Sequence, residues 1–170
     1  MSAPQPSSHA STAPLDPATD ALQLLMAEHR EVRSMFQRYR KLAAAGRRGD
    51  ERMLLVSQIC VALTLHTQIE EEILYPAARA VLTRDEEIVD EAYVEHAGAK
   101  TLIAQLKTMT SDQPLYDAKV KVLGEYIDHH VREEETEFFP RLRRTPLDLD
   151  AIGEQLAARR KQLMAQPEPS

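Results

Sequence analysis

Two copies of the pattern His-x-x-x-Glu, His66/Glu70 and His130/Glu134, each run on to an aromatic residue followed by proline, and two more histidines, His29 and His96, each follow a glutamate. Residues four apart on a helix lie one above the other, so each His/Glu pair can present a nitrogen and an oxygen to one shared point. Imidazole nitrogen and carboxylate oxygen without sulfur suit iron or manganese, with zinc as a further candidate, and bridging carboxylates are the usual device of dinuclear sites in bundles. Two such pairs imply two ions, and iron is the best single assignment.

A site needs all these groups on buried helix faces, which successive steps of about 100° per residue test. Val120, Leu123, Ile127, His130, Glu134 and Phe138 share one narrow face, whereas His129 points almost the opposite way. Ile59, Leu63, His66, Glu70 and Leu74 form a second stripe, Leu22, Leu25, His29, Val32 and Phe36 a third, and Val89, Ala92, His96, Ala99 and Ile103 a fourth. Six ionisable groups thus face a core that has little other reason to admit them. An unpaired buried carboxylate costs roughly several kcal/mol, and a metal that accepts both ligand types removes that penalty. Taken alone, each piece has a blander reading. His29 or His96 is a satisfied core histidine, His129/Glu133 a solvated face, the Glu70–Glu72 and Glu133–Glu135 runs mostly exposed charge, and Tyr75, Phe138 and Phe139 core.

The elements that carry these stripes are helices. Helix formers are abundant, glycine is scarce and tryptophan absent, which favours an all-α class. Residues 1–17, rich in proline and serine, cannot repay the entropy of ordering and are expected to be a disordered tail. Residues 18–145 are expected to form an up-down-up-down four-helix bundle, with helices from Thr19 or Asp20 to about Ala45, Asp50 to Leu82, Asp85 to Met109 and Leu115 to Arg143. Pro76 and Pro140 predict a kink or an early end. Residues 146–170 hold a short fifth helix, capped by Asp148 or Asp150, and a tail; Leu149, Ile152, Leu156 and Leu163 suit packing on the bundle or on a protein partner. An internal repeat supports the bundle, because His66, Glu70, Glu71, Pro76 and Arg79 match His130, Glu134, Glu135, Pro140 and Arg143 at a constant offset. Glu28-His29 and Glu95-His96 echo one another more faintly.

Composition bounds the remaining classes. A net charge of −6 with scattered basic residues argues against nucleic acid as a partner. The single cysteine, Cys60, allows neither an intrachain disulfide nor a thiolate site and suits a reducing compartment. The N-terminal residues lack the charged start and apolar run of a signal peptide, and no later stretch is expected to span a membrane, so the chain is read as soluble and cytoplasmic. No nucleophile-base pair or glycine-rich phosphate loop points to hydrolysis or to ATP.

The order His29, His66-x-x-x-Glu70, His96, His130-x-x-x-Glu134, with its Tyr-Pro and Phe-Pro endings, resembles the hemerythrin-like (HHE cation-binding) domain over about residues 20 to 143. The resemblance implies a four-helix bundle with a carboxylate-bridged di-iron centre, oxo- or hydroxo-bridged, held by His29, His66, Glu70, His96, His130 and Glu134. Oxygen-carrying hemerythrins have a second histidine on the third helix, where this chain has Ala92 and Lys100 around His96. One histidine fewer implies an open position on each iron unless solvent, Glu95 or Tyr93 fills it, which favours reaction with, or sensing of, oxygen, nitric oxide or peroxide over reversible oxygen storage. Whether the protein is a binding or sensing module or a peroxide-decomposing or nitric-oxide-reducing enzyme stays open, with iron storage or repair of iron centres as a further alternative. Arg33 and Lys100, about one turn from His29 and His96, either steer an anionic ligand or snorkel at the bundle edge.

Overall fold

The computed structural model describes residues 20–46, 49–84 and 86–165. The segment assigned above to a disordered tail, 1–17, lies outside the described residues, as does Asp85. Helix α1 spans Ala21–Ala44 and is closed at its start by Asp20, whose carboxylate accepts from the Gln23 backbone N–H at 2.9 Å while the Gln23 side chain accepts from the Asp20 N–H. Gly46, at φ 67°, ends it in the left-handed region that glycine tolerates. Helix α2 spans Asp50–Ile69 and continues through a π turn, Glu70–Leu74, into α3, Tyr75–Val81. Helix α4 spans Glu86–Lys107, and α5, Tyr116–Glu133, leads through a second π turn, Glu134–Phe138, into α6, Phe139–Leu142. The last helix, α7, spans Leu149–Ala165, with Asp148 accepting from the Ala151 N–H at 3.0 Å as its cap.

Helix α1 packs on α2 and α5, and α4 packs on α5 and α2, which closes the ring of an up-down-up-down bundle. The fifth helix, left between bundle and partner by its sequence, lies on this bundle against α1, α2 and the first π turn. Its Ile152 and Leu156 are buried, and Arg159 pairs with Glu72 at 2.6 Å.

Neither proline ends its helix. Proline has no N–H and its ring crowds the carbonyl four residues back, so an α-helical turn cannot contain it without loss. Here the turn before each proline widens by one residue: the Tyr75 N–H donates to the Glu70 carbonyl and the Phe139 N–H to that of Glu134, five residues back. Both widened turns start at the glutamate of a His-x-x-x-Glu pair.

The buried apolar residues form two clusters. One gathers Val32, Phe36, Ile59, Leu63, Ile103, Leu123 and Ile127, and the other Leu22, Leu25, Leu74, Val89, Phe138 and Leu142. On each of the four helical stretches, the buried His and Glu residues fall near the boundary where one cluster gives way to the other. The stretch Asp50–Val81 is, contrary to expectation, long and apolar enough by composition to cross a membrane, with a mean hydropathy of 1.3 over its most apolar window. Half of that window is buried within the bundle, where Leu55, Ile59 and Leu63 face the other helices. Apolarity here follows from a central position.

Candidate metal centre

All six residues singled out by phase converge in the core. His29, His66, Glu70, His96, His130 and Glu134 are each buried, and His130 is 3 % exposed where the neighbouring His129 side chain is 59 % exposed. The rings come in two facing pairs, with His29 Nε2 3.1 Å from His66 Nε2 and His96 Nε2 3.1 Å from His130 Nε2. Glu70 Oε2 lies 3.3 Å from His66 Nε2 and 3.4 Å from His96 Nε2, while Glu134 Oε2 lies 3.3 Å from His29 Nε2 and 3.5 Å from His130 Nε2. Each carboxylate therefore touches one ring of each pair, which is the position of a bridge.

The other nitrogen of every ring is held by a carboxylate from a neighbouring element. His29 Nδ1 is 3.0 Å from Glu135, His66 Nδ1 2.8 Å from Glu28, His96 Nδ1 2.9 Å from Glu71 and His130 Nδ1 2.8 Å from Glu95. A carboxylate can only accept, so each Nδ1 carries its proton and each Nε2 lone pair is turned inward. Basic side chains neutralise three of these carboxylates, with Arg33 at 3.3 Å from Glu135, Arg160 at 2.8 Å from Glu28 and Lys100 at 2.6 Å from Glu71, while the His129 ring lies 3.3 Å from the fourth, Glu95. Arg33 and Lys100 thus stand in ion pairs with outer carboxylates. Loss of an outer carboxylate releases a ring and lowers its basicity, so Glu28→Gln and Glu71→Gln are each expected to weaken metal affinity about 10- to 100-fold. Competition against a chelator of known affinity measures this, and unchanged affinity in both would mean that the outer layer is ornamental.

The four outer glutamates escaped the sequence reading, which took the Glu70–Glu72 and Glu133–Glu135 runs as mostly solvated. The available signal was their register: Glu28 and Glu95 directly precede a histidine of the set, and Glu71 and Glu135 directly follow a glutamate of the set. Tyr75 is buried in the core, as its sequence context suggested, but its hydroxyl reaches the inward cluster. Its hydroxyl donates to Glu134 Oε1 at 2.9 Å and lies 3.2 Å from His96 Nε2 and 3.5 Å from Glu70 Oε2. In a regular α-helix a residue five places beyond Glu70 would be rotated about 140° from it, but the π turn stacks Tyr75 over Glu70. The repeat places Phe139 at the equivalent position, and its ring stacks on His29 with centroids 5.9 Å apart. The centre is thus polar at its His96/His130 end and apolar at its His29/His66 end. Neither Glu95 nor Tyr93 stands where a further ligand would: Glu95 accepts from His130, and the Tyr93 hydroxyl donates to the Glu71 carbonyl at 3.3 Å.

Without a cation the cluster is frustrated. Facing imidazole lone pairs at 3.1 Å repel unless a proton or an ion stands between them. Burial alone would lower the pKa of His66, but Glu70, Glu28 and Glu134 outweigh it and push it up to about 9. His130 follows the same pattern, with burial opposed by Glu134, Glu95 and Glu70, and also reaches about 9. Burial would raise Glu134, yet His130, His29 and His66 hold it well below the usual carboxylate range. Glu70 Oε1 and Glu134 Oε2 nevertheless keep no hydrogen bond. Four inward imidazoles and two buried carboxylates, each keeping an oxygen without a hydrogen bond, form two clusters of nitrogen and oxygen donors, so the donor set fits metal ions.

A crystal structure from Mycobacterium kansasii, of a hemerythrin HHE cation-binding domain-containing protein that is a homolog of Rv2633c, superposes with a TM-score of 0.67 at 25% identity, covering 84% of this chain and 86% of that one. The uncharacterized protein Rv2633c of Mycobacterium tuberculosis is 26% identical over 75% of this chain and 79% of its own length. A DNA nickase of Nostoc sp. is 34% identical over 51% of this chain, and the aligned part is 24% of that longer protein. Residues 20–142, which contain all six converging side chains and the outer glutamates, match the profile of the hemerythrin HHE cation-binding domain, and the chain belongs to that family.

Proposed function

We propose that this protein is a non-haem di-iron protein in which His29, His66, Glu70, His96, His130 and Glu134 hold the two ions, and that it binds, senses or reacts with small oxidants: oxygen, nitric oxide or peroxide. The observation that carries the reading is two pairs of facing imidazoles joined by two buried carboxylates, each of which keeps one oxygen without a hydrogen bond. When bound, iron supplies the redox chemistry that such ligands need. The chain supplies the rest. A void of about 10 Å³ lies beside His29, His66 and His130, walled by Val32, Leu63, Ile127 and Val131. Glu28 and Thr67 complete its lining, so space beside the rings is small and mostly apolar-walled. The lone thiol of Cys60 is buried, which pushes its pKa up to about 11 and suits a protein kept in the reducing cytoplasm.

Tyr75 favours a second reading, an enzyme that decomposes peroxide or reduces nitric oxide. Burial, together with Glu134, Glu70 and Glu71, raises its hydroxyl well above the ordinary tyrosine value, so a proton is kept on the hydroxyl oxygen beside the centre. The nickase activity of the Nostoc relative, which this chain matches over a quarter of its length, is not carried over.

Metal analysis of the aerobically purified protein, with an absorption spectrum before and after peroxide, tests the proposal. About two irons per chain and near-ultraviolet bands that respond to peroxide are the expected result. A folded protein that neither contains iron nor can be loaded with it would reduce the six residues to a structural polar core. Steady oxygen evolution would favour the enzyme. In that case Tyr75→Phe should keep its iron and lose turnover about 100-fold, as for loss of a positioned proton donor.

A further inference from the structure

The two halves of the repeat differ in what covers them. On the first half, the outer glutamate Glu28 is held by Arg160 of α7, and the positions equivalent to His129 and Glu133 are Leu65 and Ile69. On the second half the corresponding outer glutamate, Glu95, faces a groove of about 410 Å³ lined by Glu87, Glu91, Val94, His129 and Glu133. In that groove His129 Nε2 lies 3.3 Å from Glu95 Oε1 and 3.3 Å from Glu133 Oε1, so one nitrogen and two carboxylate oxygens converge at the surface. Asp90 on the same wall is neutralised by Arg79, which leaves Glu87 and Glu91 to set the sign of the mouth.

The groove has an inner end. A second void, of about 10 Å³, is lined by Glu95 and Glu133 on its outer side and by His130 and Glu134 on its inner side. Glu134 is buried, and its Oε2 has no hydrogen bond. Glu95 spans the two, with Oε1 toward His129 and Oε2 on His130 Nδ1 at 2.8 Å. From the surface inward the side chains therefore run His129/Glu133, then Glu95, then His130/Glu134, each step within reach of the next.

The geometry points to His129, Glu133 and Glu95 as a surface loading site for a divalent transition-metal ion, through which the buried centre is filled at its His130/Glu134 end. This rests on the metal-centre reading above. One imidazole and two carboxylates bind such an ion weakly enough to release it. The negative mouth raises the local cation concentration. Between the triad and the Glu134 carboxylate lie the Glu95 carboxylate, the edge of the His130 ring and the small void, which Ile88, Ala92 and Phe138 also wall. Glu95 also orients His130 and is left in place, whereas His129 and Glu133 touch none of the six inward residues through an ion pair, so their loss should change the rate of filling and not the amount.

Mixing the metal-free full-length protein with Co²⁺ in a stopped-flow spectrophotometer separates these quantities, because the visible absorption of Co²⁺ reports nitrogen and oxygen coordination. The His129→Ala/Glu133→Gln variant is expected to fill at least about 10-fold more slowly while reaching the same final two ions per chain. Glu125→Gln, which removes one negative charge elsewhere on the surface, controls for net charge and should fill like the unaltered chain. Filling of the double variant at the unaltered rate would overturn the loading site and leave the metal centre standing. A reduced final content would overturn it too, by making the triad part of the binding set. If the unaltered protein takes up no Co²⁺ while remaining folded, the metal-centre reading falls and this inference falls with it.

Discussion

His130→Ala is expected to lose its bound metal, with affinity down by at least about 100-fold, while His129→Ala, one residue away, ends with the full complement. The ring of His130 turns its Nε2 inward, 3.5 Å from a Glu134 oxygen, whereas the His129 ring lies outside, 3.3 Å from Glu95 and from Glu133. Loss of an orienting partner costs 10- to 100-fold, so loss of a ligand itself should cost more. His66→Ala should behave like His130→Ala, because the repeat makes their positions equivalent. Removing one partner of a buried charged cluster also destabilises the metal-free chain by roughly 3–5 kcal/mol, so circular dichroism has to accompany metal analysis. Two ions per chain in a folded His130→Ala variant would contradict the assignment of the inner face of α5.

The second large effect is a reversal of pH dependence on metal loading. In the metal-free protein His66 and His130 have pKa values raised from 6.5 to about 9. A raised histidine pKa means that the folded state binds protons more tightly than the unfolded one. The stabilisation is then fully present below pH 6.5 and is lost as pH rises through about 9. The melting temperature of the metal-free chain should therefore fall between pH 6 and 9. Metal must displace these same protons, so apparent affinity should rise over that interval by up to about tenfold per pH unit for each ion. Thermal melts with and without metal at both ends of the range check this. A metal-free protein that grows more stable across the range would show that neutral imidazoles, not protonated ones, fill the empty cluster. At the acid end the sign changes, because Glu134, held well below the ordinary carboxylate range, loses its contribution as it is protonated.

Much of the centre was legible without coordinates, for a physical reason. A regular helix carries its faces forward by a constant rotation, so a buried stripe identified by leucines and valines also says which polar residues share it. That constancy separated His130 from His129 and found Glu70 and Glu134 within acidic runs. The same constancy misled where the helix is not regular. The two π turns start at Glu70 and Glu134, and from there the rotation per residue changes, which brings Tyr75 over the centre and Phe139 onto His29. Pro76 and Pro140 signalled the irregularity, but a proline reports that a normal turn is impossible and does not say whether the helix ends, kinks or widens.

The six inward groups, the repeat and the four helices that carry them follow from the order of residues alone, because each depends on spacing within a single helix. Tertiary structure decided what depends on distances between helices. Glu28, Glu71, Glu95 and Glu135 hold rings that belong to other helical stretches, so their register beside site residues marks them as neighbours of the centre but does not say which ring each one holds. Tertiary structure also decided that α7 covers one half of the repeat with Arg160 and leaves the other half open at His129. A repeat in sequence makes two halves alike, and only packing can make them different.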